Sequence, residues 1–520
     1  MAVRGAMGVD RTVKLNEGGA VSDRRKDRIL YPVMLFGLLF ILSFLLSPYS
    51  PMYRYLYDPD AICYRTMARG LLEGKVPYRD LFDHKGPLVY YIFSLGYLIS
   101  GVADWGAWIV IWLFNSFAYF FCYRTMRVFR NADHSFLATL LVIFISGFSL
   151  YDIFATMSKP DNLVLLPLFL SVFLFVKETF VGEGKAFQCI RRRSMFLIGL
   201  LCGTVFMIKL NVCLFYLAFI GCYLLWLLIR KNIKEFFAST GLFLSGIVTA
   251  CLPVLLSLLL LGNLKEFYET YIVFNIRYAS VTDSVFYLSK TVISNQVKNS
   301  LSIFLLLTVL ALFRDIRKKQ LNATRVILLS LSAFVMIFLT ASYVFGYFYI
   351  VFAPFYLYGT DFLSDVILKK MKTAKMKVLV PILISILLAV LVGLQTMLSP
   401  FVPREKTDAE KKIEEYASLV PDARVLYLED LCEPMYSSYL PVIPDFRAFY
   451  TPPVKNSDLF AEQVALIRAQ KTEVVVFSLS SDNERNDSIR NLLETSGYEE
   501  YQTYDDGGGY IYYSMYVLKR

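Results

Sequence analysis

Histidine is nearly missing from this sequence: 520 residues contain two, His84 and His134. A metal centre or acid–base pair built on imidazole therefore has little to draw on. The eight cysteines fall in no metal-ligand spacing. Cys122, Cys202, Cys213, Cys222 and Cys251 lie in or beside apolar runs, and Cys189 lies in a basic loop. That leaves Cys63 and Cys432 for an oxidising side, so no disulfide framework is implied. Charge is scarce at 18% of residues. The apolar runs are nearly free of it, which argues against an ion pathway through the membrane. No internal repeat supports a transporter fold. No small-residue cleavage site follows the first apolar run, residues 29–46, so it reads as a retained anchor behind a disordered cytoplasmic tail, residues 1–28.

What the sequence does have is apolar surface. It is 56% hydrophobic and 16% aromatic, with a mean hydropathy of +0.51. This is the composition of a polytopic membrane protein. The net charge of +10 does not imply nucleic acid, because the basic residues come in short clusters between apolar runs, as the positive-inside rule requires. Orienting the runs by these clusters gives about eleven transmembrane helices over residues 29–399. The N-terminus is then cytoplasmic, and the external loops are 48–87, 151–161 and 262–297. Residues 88–100 are too short for a span, and letting them cross would put Arg124, Arg127 and Arg130 outside, so they are read as an interfacial helix.

Composition shifts at Pro400. Helical patterns at 406–419, 457–470 and 486–495 alternate with strand patterns at 423–429 and 473–479. Residues 500–504 and 510–517 flank a hairpin signal, Asp505-Asp506 followed by three glycines. The expected fold is mainly α, with interfacial helices in the first external loop and a small extracytoplasmic α/β domain over 400–520.

The polar segment 58–87 holds the chemistry. Asp58 can cap a helix whose first residue is Pro59. Gly74 fits its stop. A helix over 59–73 is predicted to lie on the membrane surface, with Arg65, Arg69 and Glu73 as a charged stripe. On local sequence alone Asp58 and Asp60 read as capping acids. Beyond the helix, Asp80, Asp83, His84 and Lys85 crowd before Gly86-Pro87. A lysine there is either a phosphate-binding point charge or an interfacial anchor. Asp161 in Lys159-Pro160-Asp161, and Lys209 with Asn211, lie on the same predicted side, as do Tyr343, Tyr347 and Tyr349.

The order of these features resembles the GT-C glycosyltransferases, in the branch of the protein O-mannosyltransferases and the lipid A aminoarabinose transferases. The matching residues are Asp60, Leu71 to Gly74, Pro77 to Asp80, Lys85 to Pro87, and Asp161. Two positions depart from the pattern: Ala61 stands where many relatives carry Glu, and Tyr347-Phe348-Tyr349 where relatives often show His-Tyr. The resemblance implies an enzyme that moves a hexose or pentose, with inversion, from a polyprenyl-phosphate donor to a protein, lipid or glycan acceptor. Its place would be the outer face of a prokaryotic cell membrane. Asp60 and Asp161 would be catalytic, and Lys85, His84 and Lys209 would bind the donor phosphate. Asp58, Asp83, Tyr347 and Tyr349 would lie towards the acceptor. No metal ligand set is implied, although a divalent cation is left open, and nucleic acid is not a partner. The competing readings are a lipid or oligosaccharide flippase, another transporter, or a polysaccharide polymerase.

Overall fold

The computed structural model describes residues 26–53, 56–147, 157, 159–180, 188–280, 300–318, 351, 353–371, 373–397, 406–429, 432, 434–452, 457–505 and 512–519. Tyr343, Tyr347 and Tyr349, residues 1–25 of the predicted tail 1–28, and the turn 506–511 lie outside them, while residues 26–28 of that tail already belong to the first helix.

Among the described residues, six helices are long and apolar enough to cross a membrane: Lys26–Leu46, Trp105–Met126, Pro160–Thr179, Leu210–Ile229, Ile233–Leu260 and Lys375–Leu394. Ala132–Gly147, Arg192–Ile208, Ser300–Arg317 and Ala353–Lys370 pack among them. The chain is a multi-pass membrane protein. Leu95, Leu98 and Ile99, and Leu252, Leu256 and Leu260, expose apolar side chains outward. Such a surface suits a lipid solvent. Two helices approach closely because glycines face each other. A Cβ on Gly199 would meet the Phe243 carbonyl oxygen at 2.1 Å, and one on Gly246 would meet that of Phe196 at 2.2 Å. Small residues at such crossings let membrane helices pack backbone to backbone.

The bundle has two polar ends. At one, Lys26 pairs with Asp133 at 3.0 Å, Arg127 with Asp27 at 2.8 Å and Arg130 with Asp361 at 2.6 Å. The expected cluster of Arg124, Arg127 and Arg130 gathers here. At the other end lie the 56–87 segment, the start of Pro160–Thr179 and the end of Arg192–Ile208, joined by the bonds described below.

The helix Pro59–Leu72 forms where the caps predicted it. Asp58 accepts from the Asp60 amide at 3.1 Å, and Gly74 takes φ +84° past its end. Its surroundings differ from the expectation. Arg65 does not lie on an open stripe but is buried, bonded to the Ser437 carbonyl at 2.6 Å and paired with Asp104 at 3.4 Å. Arg69 donates to the Pro441 carbonyl at 3.2 Å. The helix is thus sandwiched between the bundle and the C-terminal unit, because a guanidinium can satisfy carbonyls at an interface as readily as water. Pro87–Ser100 has 14 residues, about 21 Å of helix, short of a bilayer core of about 30 Å.

The C-terminal unit is a four-stranded sheet in the order β1-β2-β4-β3, with β1 (Val425–Tyr427) parallel to β2 (Val474–Leu479). β4 (Tyr512–Leu518) runs antiparallel to both β2 and β3 (Tyr498–Asp505). The first four residues of β2 are buried, as a central strand covered on both faces should be. Helix Ser457–Arg468 makes the crossover that a parallel pair needs. The sequence pattern gave no sign of the short helix Pro434–Tyr439, which faces Pro59–Leu72.

Candidate active site

Three lysines and four aspartates meet at the second polar end, each delivered by a different local device. Helix capping places Asp58 and Asp60 two residues apart at the N-terminus of Pro59–Leu72. Between them comes the ammonium of Lys159, 2.7 Å from Asp58 Oδ1 and 2.7 Å from Asp60 Oδ2. Two residues further, Asp161 in the first turn of Pro160–Thr179 accepts from Lys209 at 2.7 and 2.8 Å, one bond to each oxygen. Lys209 ends Arg192–Ile208. The Gly86 amide, next to Lys85, donates to the Ile208 carbonyl at 3.1 Å, next to Lys209. That contact depends on glycine, because a Cβ at residue 86 would lie 2.1 Å from the Met207 carbonyl oxygen. So residues 58, 60, 85, 159, 161 and 209 are tied into one cluster.

The backbone of Lys85 is fixed by tyrosine. Tyr78, at φ +70°, buries its ring and donates its hydroxyl to the Lys85 carbonyl at 2.8 Å. Holding a non-glycine residue in that region costs on the order of 1 kcal/mol, which the surrounding contacts must overcome. Asp83 is enclosed: Tyr90 donates to its Oδ2 at 2.9 Å, Tyr450 to its Oδ1 at 2.9 Å, and the His84 amide to its Oδ1 at 2.7 Å. The His84 ring stands between Asp83 and Lys85, with Nδ1 3.4 Å from Asp83 Oδ1 and Nε2 2.8 Å from the Lys85 ammonium. An ammonium only donates, so Nε2 must accept and the proton of the neutral ring sits on Nδ1, facing Asp83. Asn275 braces the turn by donating to the His84 carbonyl at 2.7 Å.

Exposure separates the seven charged groups. Asp58, Asp83, Lys159, Asp161 and Lys209 are buried. Asp60 keeps 30% of its side chain open, and Lys85 is half-buried. Among the described residues Lys85 pairs with no carboxylate, and Asp60 Oδ1 accepts no hydrogen bond. An incoming group can therefore reach one carboxylate oxygen and one ammonium. The electrostatics agree. Burial would raise Asp60, but the charges of Lys159 and Lys85 outweigh it and hold the carboxyl below its ordinary range. Burial would lower Lys159, but Asp58 and Asp60 hold it above its ordinary range. Burial wins at Lys209, which is pushed down to about 8 despite Asp161. Burial and the Lys85 charge lower His84, which keeps the ring neutral at pH 7.

Set beside the sequence-based expectations, Asp60 and Lys85 stand at the open face. Asp161 is wholly buried with both oxygens on Lys209, so it supports rather than confronts a substrate. Asp58 and Asp83, expected towards the acceptor, are enclosed as well. Sequence reasoning gave no role to Lys159, Tyr90 or Tyr450. For Lys159 a signal existed: a lysine at a helix N-cap faces the positive end of the dipole, and it stays there only if acids elsewhere hold it. For Tyr450 there was none. Among the described residues no three His, Cys, Asp or Glu side chains come together as a metal-binding group.

The C-terminal unit covers the cluster. The Phe82 amide donates to the Arg447 carbonyl at 3.0 Å, Arg447 Nε donates to the Tyr78 carbonyl at 3.0 Å, and its guanidinium lies over the Phe82 ring. A cleft of about 20 Å³ remains between Arg65, Arg69 and the unit, room for about one water. This interface is packed rather than a chamber for a sugar.

A family model described as dolichyl-phosphate-mannose-protein mannosyltransferase matches residues 84–259. That stretch contains Lys85, Lys159, Asp161 and Lys209 but not Asp58 or Asp60. By sequence, no curated protein matches the chain. Among solved structures, ArnT from Cupriavidus metallidurans bound to undecaprenyl phosphate superposes with a TM-score of 0.57 at 13% identity, covering 94% of this chain and 97% of that one. Its apo state gives a TM-score of 0.59 at 13% identity, with the same coverage of 94% and 97%. The archaeal oligosaccharyltransferase AglB from Archaeoglobus fulgidus, in complex with an inhibitory peptide and a dolichol-phosphate, gives a TM-score of 0.51 at 11% identity, covering 95% of this chain and 74% of that one. The chain shares its overall fold with ArnT and AglB.

Proposed function

We propose that this chain transfers a sugar from a polyprenyl-phosphate-linked donor to an acceptor at the outer face of a prokaryotic cell membrane. The N-terminus is then cytoplasmic. Residues 29–399 form the membrane part, and the unit within 400–520 sits outside, over the site. One observation carries the reading: an ionised carboxylate with an open oxygen, Asp60, shares a polar cluster with Lys85, a lysine that makes no ion pair among the described residues.

The chemistry asks for these two groups. The acceptor's hydroxyl or amine attacks the anomeric carbon, and the bond from that carbon to the phosphate oxygen breaks. Asp60 takes the proton released by the nucleophile. Lys85 meets the charge that grows on the departing lipid phosphate. A single displacement inverts the anomeric centre. Asp161 holds Lys209 beneath Lys85, adding positive potential where the phosphate sits, while Asp83 and His84 orient the Lys85 segment. ArnT bound to undecaprenyl phosphate supports this reading of the donor, and the match to a mannosyltransferase family model supports a hexose.

A flippase or other transporter would need ionisable groups along a path through the bundle. Among the described residues, the ion pairs Arg130–Asp361, Lys159–Asp58 and Lys209–Asp161 lie at its two ends instead. A polymerase would draw on lipid-diphosphate oligosaccharides rather than on a single sugar on lipid monophosphate. Purified protein in nanodiscs, given each donor class with mixed acceptors and read by mass spectrometry, tests the assignment. A glycosylated product from the monophosphate donor, lost in Asp60→Asn and Lys85→Ala, is the expected result. Product from the diphosphate donor alone, or lipid movement without bond formation, would replace it with the polymerase or the flippase.

A further inference from the structure

Lys159 is an unusual cation. It occupies the N-cap of Pro160–Thr179, against the helix dipole. It is 8% exposed, and an ammonium is buried at heavy cost unless acids pair with it. Its one charge lies between an oxygen of Asp58 and an oxygen of Asp60, each at 2.7 Å. The arrangement of two carboxylate oxygens around one positive centre is that of a small cation site. A divalent ion held by the same oxygens would lie roughly 2.0 to 2.6 Å from them, overlapping the Lys159 nitrogen at 2.7 Å.

We infer that Lys159 is the built-in counter-cation of the Asp58–Asp60 pair, filling the place of a divalent metal, so that the site works without one. The inference builds on the role given above to Asp60. Lys159 acts as a positioning residue. It pins Asp60 Oδ2 and leaves Oδ1 for the acceptor. It also cancels the repulsion between two acids that would otherwise drive one of them to take up a proton. With Lys159, Lys209 and Lys85 against Asp58, Asp60, Asp83 and Asp161, the cluster balances to within one charge before the donor arrives.

The test combines metal binding with transfer. In Mn²⁺ electron paramagnetic resonance on the purified full-length protein, wild type shows no specific Mn²⁺ that Asp60→Asn removes. Lys159→Met gains one bound Mn²⁺, and the double variant Asp58→Asn/Lys159→Met loses it again. In the transfer assay, wild type is unchanged by EDTA. Lys159→Met falls at least tenfold in EDTA and recovers on adding Mn²⁺ or Mg²⁺, while Lys159→Arg keeps activity without metal. Wild type that binds Mn²⁺ through Asp60, or loses activity reversibly to a chelator, overturns the inference. So does Lys159→Met that folds, by its elution and melting temperature, yet is fully active without binding metal. The resonance arm needs no substrate, so a wild type that fails to transfer sugar would sink the proposed function and leave the metal-binding comparison standing.

Discussion

The hydroxyl of Tyr450 donates to Asp83 Oδ1 at 2.9 Å, across 367 residues of chain. Asp83 is 1% exposed, so that bond replaces water that cannot reach it. Through His84 the same carboxylate orients the turn that carries Lys85. The C-terminal unit therefore contributes an atom to the support of the site as well as a cover over it.

Tyr450→Phe removes this donor and leaves the ring packing in place. Asp83 Oδ1 keeps its bond from the His84 amide, so the loss is one hydrogen bond to a charged group, about 1.5–3 kcal/mol. The expected outcome is a protein that inserts normally, melts a few degrees lower and transfers several-fold more slowly. Kinetics on the purified variant, beside Phe449→Leu as a packing control, measure it.

The pH profile carries the signature of Lys209. Its ammonium is held down to about 8, so transfer falls as pH rises through that value, and Lys209→Arg moves the fall upward. The stability sign is opposite. A free lysine titrates near 10.4, so between about 8 and 10.4 the unfolded chain binds more protons than the folded one, and stability rises with pH across that window. Loss of rate with a steady or rising melting temperature is the predicted pair of readings.

Gly86→Ala tests the junction between the Lys85 turn and the end of Arg192–Ile208. The new methyl would stand 2.1 Å from the Met207 carbonyl oxygen, and backbone does not yield as a side-chain tip does. Overpacking of this kind costs about 1–3 kcal/mol or more. A lower melting temperature and a loss of transfer are expected together.

Arg65→Leu should loosen the C-terminal unit. It removes the bond to the Ser437 carbonyl and the pairing with Asp104, leaving a buried carbonyl without its guanidinium. Limited proteolysis should release the unit faster than from wild type, with transfer reduced in parallel.

Local chemistry made part of this legible in advance. Asp58, Pro59 and Gly74 mark the ends of Pro59–Leu72 because caps act within one turn. The strands Val474–Leu479 and Tyr512–Leu518 follow from apolar and aromatic runs. What stayed hidden depended on distance along the chain. The i, i+4 spacing of Arg65 and Arg69 is the same whether they face water or carbonyls of a unit over three hundred residues away. Lys159 meets Asp58 and Asp60 only once two helices are packed, although its place against a dipole hinted at it. Asp161 was expected to face a substrate, yet the bundle buries it on Lys209, and nothing within residues 159–161 distinguishes the two outcomes.

The central claim is that Asp60 and Lys85 carry out one transfer between them. Single-turnover transfer from a polyprenyl-phosphate sugar, measured for wild type, Asp60→Asn and Lys85→Ala at matched folding, tests it most directly. Product from wild type and a fall of at least a hundredfold in each variant, about 2.7 kcal/mol of barrier, are expected. Wild-type rates in Asp60→Asn would contradict it.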